Sequence, residues 1–423
     1  MPNFSLEPQV FLDAARQYQT PFHLYDEKGI RETARRLKKA FSGVPTFQEY
    51  FAVKALPTPA ILRILKEEGC GVDCASTAEL MLAKACGFEG QDIMFSANDV
   101  PPEEFKLARK MNAFINLDDI THVETLRDNG GVPEEVCLRY NPGSSFNIAG
   151  AIMGEPEEAK YGMTRPQLTE ALLKLKALGA KKFGLHSFVS SNTTDTNYYP
   201  ALARLLFKTG VQLMEETGLT LSFVNLSGGI GIPYRPDAAE ADIEQIGAGV
   251  AREYDKIFTQ KGITGVAIKT ELGRYMTGPH GWLVTTILHE KRIYRHYLGV
   301  DASACDLMRP AMYGAYHHIT IPAREGQPAT EMVDVTGSLC ENNDKFAINR
   351  LLPETQIGDV LVIHDTGAHG LSMGYNYNGK LRCKEVLYCQ DGSFKMIRRA
   401  ETVRDYFATL DIDPDYGALI TEE

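Results

Sequence analysis

The chain has 423 residues, of which 44% are hydrophobic and 23% charged, and its formal net charge is −11 at pH 7. This length suits two domains better than one, and the composition is that of a globular protein with a large core. The acidic sequence contains no basic patch interleaved with aromatic residues, which argues against a nucleic-acid partner and favours a small molecule. No apolar run is long enough to span a membrane and residues 1–20 lack the pattern of a signal peptide, so we expect a cytoplasmic protein.

The eight cysteines form no CxxC pair and lie in apolar sequence contexts. They are Cys70, Cys74, Cys86, Cys137, Cys305, Cys340, Cys383 and Cys389. This distribution is typical of buried thiols rather than of disulfides or zinc ligands, and we expect no metal site.

The first two predicted elements are a strand at residues 21–25 and a helix that Asp26 caps and that continues to about residue 40. Eight further strand candidates follow at residues 49–53, 71–73, 93–95, 113–116, 136–139, 183–186, 223–226 and 266–269. Helical periodicity marks segments between them, including 59–68, 77–86, 102–111, 165–178 and 199–217. Eight apolar strands alternating with helices predict an α/β fold of the (β/α)8 barrel type rather than a doubly wound sheet.

From Trp282 onward the hydrophobic pattern changes to a period of two residues, which is typical of strands. The segments with this period are residues 282–288, 332–335, 360–363 and 384–388. We therefore predict a barrel domain at residues 26–280 and a β-rich domain that combines residues 1–25 with 281–423. The strand at 21–25 is expected to join the second domain, because a barrel needs only eight strands.

Polar residues follow each of the predicted barrel strands. They include Lys54, Asp73, Ser96, Asn116, Arg139, His186, Ser227 and Glu271. Any one of them could be a simple cap or turn residue. In a barrel, however, the carboxyl ends of all strands meet at one face, where active sites lie. Their convergence predicts an active site there.

Three of these strand ends have a chemistry that points to one cofactor. Lys54 ends an apolar run, so its amine is either a solvated charge or a nucleophile that forms a Schiff base at the mouth of an apolar pocket. The glycine-rich stretch 226–234 could present backbone N–H groups to a phosphate. Glu271 and Arg274 place an acid and a fixed cation three residues apart, suited to a ring nitrogen and an anion, or else to a surface salt bridge. Together these features predict pyridoxal 5'-phosphate.

With these motifs the chain resembles the barrel-type pyridoxal-phosphate decarboxylases of basic amino acids, and most closely the diaminopimelate decarboxylases. The motifs are YFAVKA, GVDCASTAEL, SGGIGIPY, ELGR, DLMRPAMYGAYHHI, TGSLCENNDKF and GAHGLSMGYNYNGKLRCKEVL, and they cover nearly the whole chain. The resemblance implies decarboxylation of meso-2,6-diaminopimelate to L-lysine and CO2, the last step of lysine biosynthesis.

The resemblance also implies residue roles. Lys54 would carry the cofactor as a Schiff base and Glu271 would pair with its ring nitrogen. The other implied cofactor contacts are Asp73, Glu79, His186, Phe188, Ser191, Gly228, Gly229, Gly231, Arg274 and Tyr377. The implied substrate contacts are Arg274, Arg309, Tyr313, Glu341 and Tyr377. Cys340, as proton donor, and Glu341, toward the distal amino group, would reach across a homodimer interface into the partner's site.

Three positions depart from the family pattern. Phe188 stands where the family has a ring-stacking histidine, and it can stack but cannot donate a hydrogen bond. Leu272 replaces a proline, and Ser227 replaces the first glycine of a triple-glycine turn. Other functions therefore stay open: a decarboxylase of D-ornithine, D-lysine or a carboxylated polyamine, an amino-acid racemase, or a non-catalytic cofactor-binding protein. Residues 143–164 are a candidate mobile lid.

Overall fold

The structure is a computed structural model, and it describes residues 6–146 and 157–412. The strands of this part of the chain are β1 (Phe22–Asp26), β2 (Phe47–Ala52), β3 (Gly71–Cys74), β4 (Ile93–Ser96), β5 (Phe114–Leu117), β6 (Glu135–Arg139), β7 (Lys182–His186), β8 (Thr220–Asn225), β9 (Ala267–Thr270), β10 (Gly281–Arg292), β11 (His296–Val300), β12 (Ile319–Thr320), β13 (Glu331–Thr336), β14 (Lys345–Leu352), β15 (Val360–Ile363), β16 (Lys384–Tyr388) and β17 (Phe394–Arg398).

The α-helices are α1 (Pro8–Tyr18), α2 (Glu27–Ala40), α3 (Pro59–Glu67), α4 (Thr77–Ala85), α5 (Pro102–Lys110), α6 (His122–Asp128), α7 (Arg165–Ala177), α8 (Tyr198–Thr217), α9 (Ile243–Ile257), α10 (Arg274–Thr277), α11 (Arg309–Tyr313) and α12 (Val403–Phe407). Short 3₁₀ helices lie at Val53–Ala55, Gly90–Asp92, Gly143–Ser145, Thr259–Lys261, Gly278–His280, Pro322–Arg324 and Leu371–Met373.

Strands β2 to β9 form a closed parallel barrel, which confirms the predicted fold. Each strand pairs with its neighbour in the sequence, and β2 closes the barrel by pairing with β9, where Gln48 lies opposite Lys269. The residues of these strands are mostly buried, because helices cover the outer side of the closed barrel and side chains fill its interior.

Three helices of the barrel unit, α2, α4 and α9, begin at a side chain that accepts a hydrogen bond from a backbone N–H of the first turn. Asp26 caps α2 as predicted, accepting a hydrogen bond from the N–H of Lys28 at 3.0 Å. Ser76 and Asp242 cap α4 and α9 in the same way. A cap fixes the residue at which the loop before a helix ends and the helix begins. In these three loops, one end of the segment between strand and helix is therefore held in place.

The barrel interior is layered. The lower layer is an apolar cluster of Tyr50, Met94, Phe114, Cys137 and Phe223. Because side chains alternate between the two faces of a strand, residues two positions further along point into the same interior. These residues form the upper, polar layer, which includes Ser96, Asn116, Asn225 and Glu271.

The other strands form a second sheet in the order β14-β13-β11-β10-β1-β16-β17, to which β15 and β12 add by pairing with β10 and with each other. Strand β1 pairs antiparallel with β10, with Phe22 opposite Val284. The early strand therefore joins the β-rich region, as predicted. Helix α1 packs on this sheet through Phe11, in a core that includes Trp282 and Val362.

The described chain folds as two compact units, a barrel unit of residues 26–280 and 367–372, and a sheet unit of residues 6–25, 281–366 and 373–412. The segment 367–372 differs from the expected boundary because it is hydrogen-bonded to the barrel unit. The N–H of His369 and the hydroxyl of Ser372 both donate to the carbonyl of Ala55, at 2.9 and 3.0 Å.

The exposure of the cysteines agrees only in part with the prediction from the sequence. Cysteines 70, 74, 86, 137, 305 and 383 are buried, but Cys389 is only half-buried and Cys340 is exposed, so the expectation that all eight are buried is wrong for these two.

Among the described residues, no helix is long and apolar enough to cross a membrane. No cluster of histidine, cysteine or acidic side chains in the same part of the chain could hold a metal ion.

Candidate active site

Lys54 lies in the single 3₁₀ turn that follows β2, at the carboxyl end of the barrel. Its side chain is exposed, and its Nζ lies 6.0 Å from the centre of the Phe188 ring. The positive charge of Lys54 acts on three carboxyl groups around it: it contributes to the lowered pKa of Glu271, and it partly offsets the rise in pKa that burial causes for Asp73 and Glu79. The amine therefore faces an acidic group of side chains at this end of the barrel.

Glu271 is the centre of the polar layer. Its carboxylate accepts hydrogen bonds from the Asn225 amide at 2.7 Å, the Ser227 hydroxyl at 3.1 Å and the Ser96 hydroxyl at 3.4 Å, and it lies 3.1 Å from Nε2 of His186. Burial alone would raise the pKa of Glu271, but the charge and hydrogen bond of His186, together with Lys54 and Asn225, lower it below the usual range. Glu271 is therefore an ionised carboxylate in the barrel interior.

The polar layer contains several buried atoms without a hydrogen-bond partner in the described part of the chain. They are Oδ1 of Asp73, Oδ1 of Asn116, Nδ1 of His186 and the hydroxyl of Ser187. Buried polar groups are normally paired, so such a cluster is typical of a site that a bound molecule completes. Because Glu271 is ionised and can only accept, Nε2 of His186 carries the proton in their hydrogen bond.

Asp73 and Glu79 lie beside Lys54 in different environments. Asp73 is buried, and burial followed by the negative charge of Glu271 raises its pKa well above the ordinary value. Glu79, in the first turn of α4, accepts a hydrogen bond from the N–H of Ala75 at 2.7 Å, and burial raises its pKa as well.

The glycine turn after β8 has no room for side chains. A Cβ on Gly228 would lie 2.8 Å from the carbonyl oxygen of Glu271, and one on Gly229 would lie 2.8 Å from that of Ser190. Within the described residues, the N–H groups of Gly228 and Gly229 donate no hydrogen bond to a backbone carbonyl. The N–H of Gly231, by contrast, donates to the carbonyl of Thr193 at 2.8 Å. Two of the three predicted glycines therefore offer backbone donors.

Ser227 adopts φ of 57°, the left-handed region that favours glycine. Its hydroxyl bonds to Glu271 and its N–H donates to Oδ1 of Asn225 at 2.8 Å. The serine that replaces the family's first glycine is thus held in a conformation that glycine would adopt freely, and it adds a donor to Glu271.

Two of the predicted phosphate contacts outside the turn, Ser191 and Arg274, are half-buried, and the third, Tyr377, is exposed. The segment containing Ser191 is joined to the glycine turn by two backbone hydrogen bonds between Thr193 and residues 229 and 231. Arg274 begins α10, and its guanidinium donates a hydrogen bond to the hydroxyl of Tyr234. These groups lie along the same strand ends as the turn.

Phe188 stands between two cations. Its ring centre lies 6.0 Å from Nζ of Lys54 and 5.9 Å from Cζ of Arg139. Arg139 is paired with Asp118 at 3.1 Å and also lies over the ring of Tyr161, with Cζ 4.3 Å from its centre. An apolar ring therefore covers the Lys54 side of the barrel opening.

The other residues with predicted roles, Arg309, Tyr313, Cys340, Glu341 and Tyr377, belong to the sheet unit. Arg309 is buried and donates a hydrogen bond to Nε2 of His317 at 2.9 Å. Since an arginine can only donate, His317 must accept at Nε2, and its Nδ1 lies 2.7 Å from the carbonyl oxygen of His364. Tyr313 and Tyr377 are exposed.

Cys340 and Glu341 lie in an exposed turn of the sheet unit. The N–H of Cys340 donates to Oδ1 of Asn378 at 2.7 Å, and Glu341 accepts from the N–H of Asn343 at 3.0 Å. Both side chains are exposed, and no role for them follows from this unit alone. Of the predicted lid at 143–164, residues 147–156 lie outside the described residues.

Two buried charged residues, Lys269 and Glu49, were not predicted from the sequence to be functional. Lys269 on β9 points into the apolar layer, with Nζ 3.3 Å from the ring centre of Phe114 and 3.8 Å from that of Phe223. Burial lowers its pKa to about 7. Glu49 on β2 is buried beside the end of β9. The signal that could have found both is a charged residue inside a strand of a parallel barrel, where both faces are covered.

These features fit a pyridoxal phosphate molecule. Lys54 supplies an amine, Glu271 an ionised carboxylate that can hold a positive ring nitrogen, and Gly228 with Gly229 backbone donors for a phosphate. The unpaired polar atoms of Asp73 and Asn116 lie in the same layer as Glu271.

Comparison with known proteins gives the same cofactor. Residues 27–278 match the pyridoxal-binding domain of the pyridoxal-dependent decarboxylases. Protein TabA of Pseudomonas amygdali pv. tabaci is 39% identical over 94% of this chain and 92% of its own length. The diaminopimelate decarboxylase of Methanothermobacter thermautotrophicus is 33% identical over 93% of this chain and 92% of its own length.

A solved structure of diaminopimelate decarboxylase from M. jannaschii in complex with L-lysine has a similar fold. The TM-score is 0.88, the sequence identity is 29%, and the match covers 96% of this chain and 95% of that one.

Proposed function

This chain belongs to the pyridoxal-dependent decarboxylase family, and from that premise we propose that it decarboxylates meso-2,6-diaminopimelate to L-lysine and CO2. The observation that carries the proposal is the buried, ionised carboxylate of Glu271 at the barrel end that also presents Lys54. Similarity to several diaminopimelate decarboxylases over most of the chain supports the choice of substrate.

The residues of the barrel unit bind and orient the cofactor. When bound, pyridoxal phosphate supplies an electron sink for the pair of electrons that the departing carboxylate leaves behind. Lys54 would hold the cofactor through its side-chain amine. Glu271 holds a proton at the ring nitrogen, because a neighbouring negative charge stabilises the protonated form. The N–H groups of Gly228 and Gly229 bind the phosphate with Ser191 and Arg274.

Other residues orient the substrate and control access of water. Phe188 packs an apolar face on the Lys54 side, which excludes water from the reacting carbon. Arg309 and Tyr313 bind the carboxylate that is retained, since a guanidinium matches the geometry of a carboxylate. Cys340 donates the proton that replaces CO2, and Glu341 binds the distal ammonium. We place these two residues in the site of the partner subunit of a homodimer.

A substrate panel tests this proposal. The pyridoxal-phosphate-loaded protein is incubated with meso-2,6-diaminopimelate, D-lysine, D-ornithine and a carboxylated polyamine, and both CO2 and the amine product are measured. We expect kcat/KM for diaminopimelate to exceed the other values by about 100-fold or more, because only a substrate with a second carboxylate offers a charged acceptor to the buried Arg309 guanidinium.

Two variants serve as controls for the panel. Lys54→Ala should abolish turnover of every substrate, whereas Arg309→Leu should selectively raise KM for diaminopimelate. Faster decarboxylation of D-ornithine, D-lysine or the polyamine would contradict the proposed substrate. Epimerisation without CO2 release would contradict the reaction itself.

A further inference from the structure

Glu49 is a buried acid in the middle of β2, only 2% exposed, and none of the roles above involves it. It lies opposite Thr270 in the pairing of β2 with β9. Its carboxyl group makes two hydrogen bonds to the end of β9: Oε1 accepts from the N–H of Leu272 at 2.7 Å, and Oε2 is bonded to the hydroxyl of Thr270. A single side chain thus binds the residues on both sides of Glu271.

The backbone of Glu271 itself is held from another strand end. Its N–H donates to the carbonyl of Ser227 at 2.8 Å, and the same carbonyl accepts from the hydroxyl of Tyr199 at 2.8 Å. Residues 270 and 272 are therefore hydrogen-bonded to Glu49 on β2, and residue 271 to Ser227 after β8. Because Glu49 supplies two of these bonds, its loss would release both neighbours of Glu271 at once.

The need for Glu49 follows from Leu272. The backbone N–H of Leu272 must be paired when it is buried. Leu272 is 1% exposed, so water does not reach this N–H. Oε1 of Glu49 is its acceptor. The acid inside β2 thus satisfies the buried N–H that follows Glu271.

We propose that Glu49 is a positioning residue for Glu271, because its carboxyl group binds Thr270 and Leu272 and so fixes the chain on both sides of Glu271. The inference rests on the proposed role of Glu271 at the ring nitrogen. Glu49 touches neither cofactor nor substrate in this assignment, and it acts only through residues 270–272.

The charge state of Glu49 depends on its surroundings. Burial, followed by the negative charge of Glu271, raises its pKa to about 8 despite the hydrogen bonds from Thr270 and Leu272. The other titratable groups that interact with it are the thiol of Cys70 and the phenol of Tyr199, and burial raises the pKa of both. Among these described neighbours there is no cation, so Glu49 is uncharged at neutral pH and becomes an anion above pH 8.

Ionisation would place a second negative charge beside Glu271. Like charges raise the proton affinity of a carboxylate, so Glu271 would then compete for the proton that it should leave on the ring nitrogen. The expected result is a fall in kcat above about pH 8 with little change in KM.

The same ionisation affects stability with a defined sign. The pKa of Glu49 is about 8 in the folded chain and near 4.5 in the unfolded chain, so between these values the folded state binds more protons. The contribution of Glu49 to stability is therefore fully present below pH 4.5 and is lost as the pH rises to about 8.

Glu49→Gln and Glu49→Ala test the proposal in the pyridoxal-phosphate-loaded protein. Glutamine keeps an acceptor for Leu272 and a donor for Thr270 but cannot ionise, so kcat at pH 7 should stay within about two-fold and the alkaline fall should disappear or move to higher pH. Alanine removes both bonds, so kcat should fall roughly ten- to hundred-fold with KM within a few-fold, because Glu271 is displaced. If the alanine variant does not fold, Thr270→Val removes one bond and should give a smaller fall of the same kind.

Two further measurements do not depend on turnover. The cofactor absorbance is followed from pH 6 to 10, and the urea midpoint of the cofactor-free protein is followed from pH 5 to 9. Relative to the parent protein, Glu49→Gln should gain stability as the pH rises to 8 and show no absorbance change near pH 8. Glu253→Gln is the matched control, because Glu253 is a buried acid that binds Arg204 on the outer helices. The Glu253→Gln protein should match the parent in kcat, in cofactor absorbance and in the fall of kcat at alkaline pH.

Each contrary outcome identifies what is wrong. Superimposable pH profiles and urea midpoints for Glu49→Gln and the parent would overturn the role of ionisation. An unchanged kcat in Glu49→Ala would overturn the positioning role. Glu271→Gln is included as a separate arm: if it keeps the parent kcat, the proposed role of Glu271 fails, whereas if it loses kcat while the Glu49 variants do not, only the inference about Glu49 fails.

Discussion

Lys269 on β9 and Glu271 directly after β9 face the same barrel interior, yet burial affects their charges differently. Glu271 is surrounded by amide, hydroxyl and imidazole donors and remains ionised. Lys269 has only aromatic faces around its Nζ and no hydrogen-bond acceptor within the described chain. Burial penalises a charge that has no hydrogen-bonding partner, so the partners rather than the depth decide which residue stays charged.

Lys269→Met should change how stability depends on pH. The pKa of Lys269 is about 7 in the folded protein and near 10.5 when unfolded, so between these values the unfolded chain binds the extra proton. The contribution of Lys269 to the free energy of unfolding of the parent should therefore rise with pH across this window, by about 1 kcal/mol per pH unit. Methionine removes this dependence, and its stability relative to lysine should be greatest near pH 7 and decrease toward pH 10.

Urea unfolding at a series of pH values measures this effect. Lys182→Met is the control, because Lys182 is exposed at the start of β7 and its replacement should leave the pH dependence of the parent unchanged. A Lys269→Met protein with the same pH dependence as the parent would mean that the Lys269 amine keeps its ordinary proton affinity in the fold.

At the scale of secondary-structure elements, the glycine turn after β8 and the end of β9 are packed directly against each other. A methyl group on Gly228 would lie 2.8 Å from the backbone carbonyl of Glu271, which is closer than van der Waals contact allows. The conformation of the turn and the position of Glu271 are therefore coupled.

Gly228→Ala should weaken cofactor binding. Overpacking of this kind costs about 1–3 kcal/mol, which corresponds to roughly a ten- to hundred-fold higher dissociation constant. Titration of the cofactor-free protein with pyridoxal phosphate, followed by absorbance, gives this constant. Gly299→Ala is the control, because a Cβ there meets its neighbours at an ordinary 3.7 Å. Equal cofactor affinity in the two variants would contradict the coupling.

Secondary-structure elements could be predicted from the sequence where a local hydrophobic pattern determines them. The strand ends that carry Lys54, Asp73 and Glu271 follow apolar runs, so both the barrel and the face of the site could be inferred. The hydrogen bond between Glu49 and Leu272 joins residues 223 positions apart, through the closure of the barrel by β2 and β9. No local periodicity records such a partnership, because it exists only once the register of the two strands is fixed.

At the scale of the whole molecule, the sheet unit has a surface suited to contact with another chain. Strand β14 lies at the edge of the sheet and exposes Ile348 and Leu351, and the neighbouring β13 exposes Met332. Exposed apolar side chains grouped on a sheet edge are typical of an interface. This surface supports the proposal that Cys340 and Glu341 act in the site of a partner subunit.

Mixed dimers test whether sites are shared between subunits. Lys54→Ala and Cys340→Ala each inactivate their homodimers if both residues are needed. In a heterodimer of the two, one site combines both defects and the other combines the intact Lys54 with the intact Cys340. Random mixing in equal amounts makes half of the dimers heterodimers, so about a quarter of the parent activity should return after the subunits are unfolded and refolded together.

The arithmetic distinguishes shared sites from separate ones. If Cys340 served the site of its own subunit, every site in every mixed dimer would lack one of the two residues, and activity would stay at the level of the homodimers. A mixture of Lys54→Ala with Lys54→Met provides the control, since no arrangement of those subunits restores an amine. Recovery in the first mixture and not in the second would make the dimer the catalytic unit, because each active site would then draw its Schiff-base lysine from one chain and its proton donor from the other.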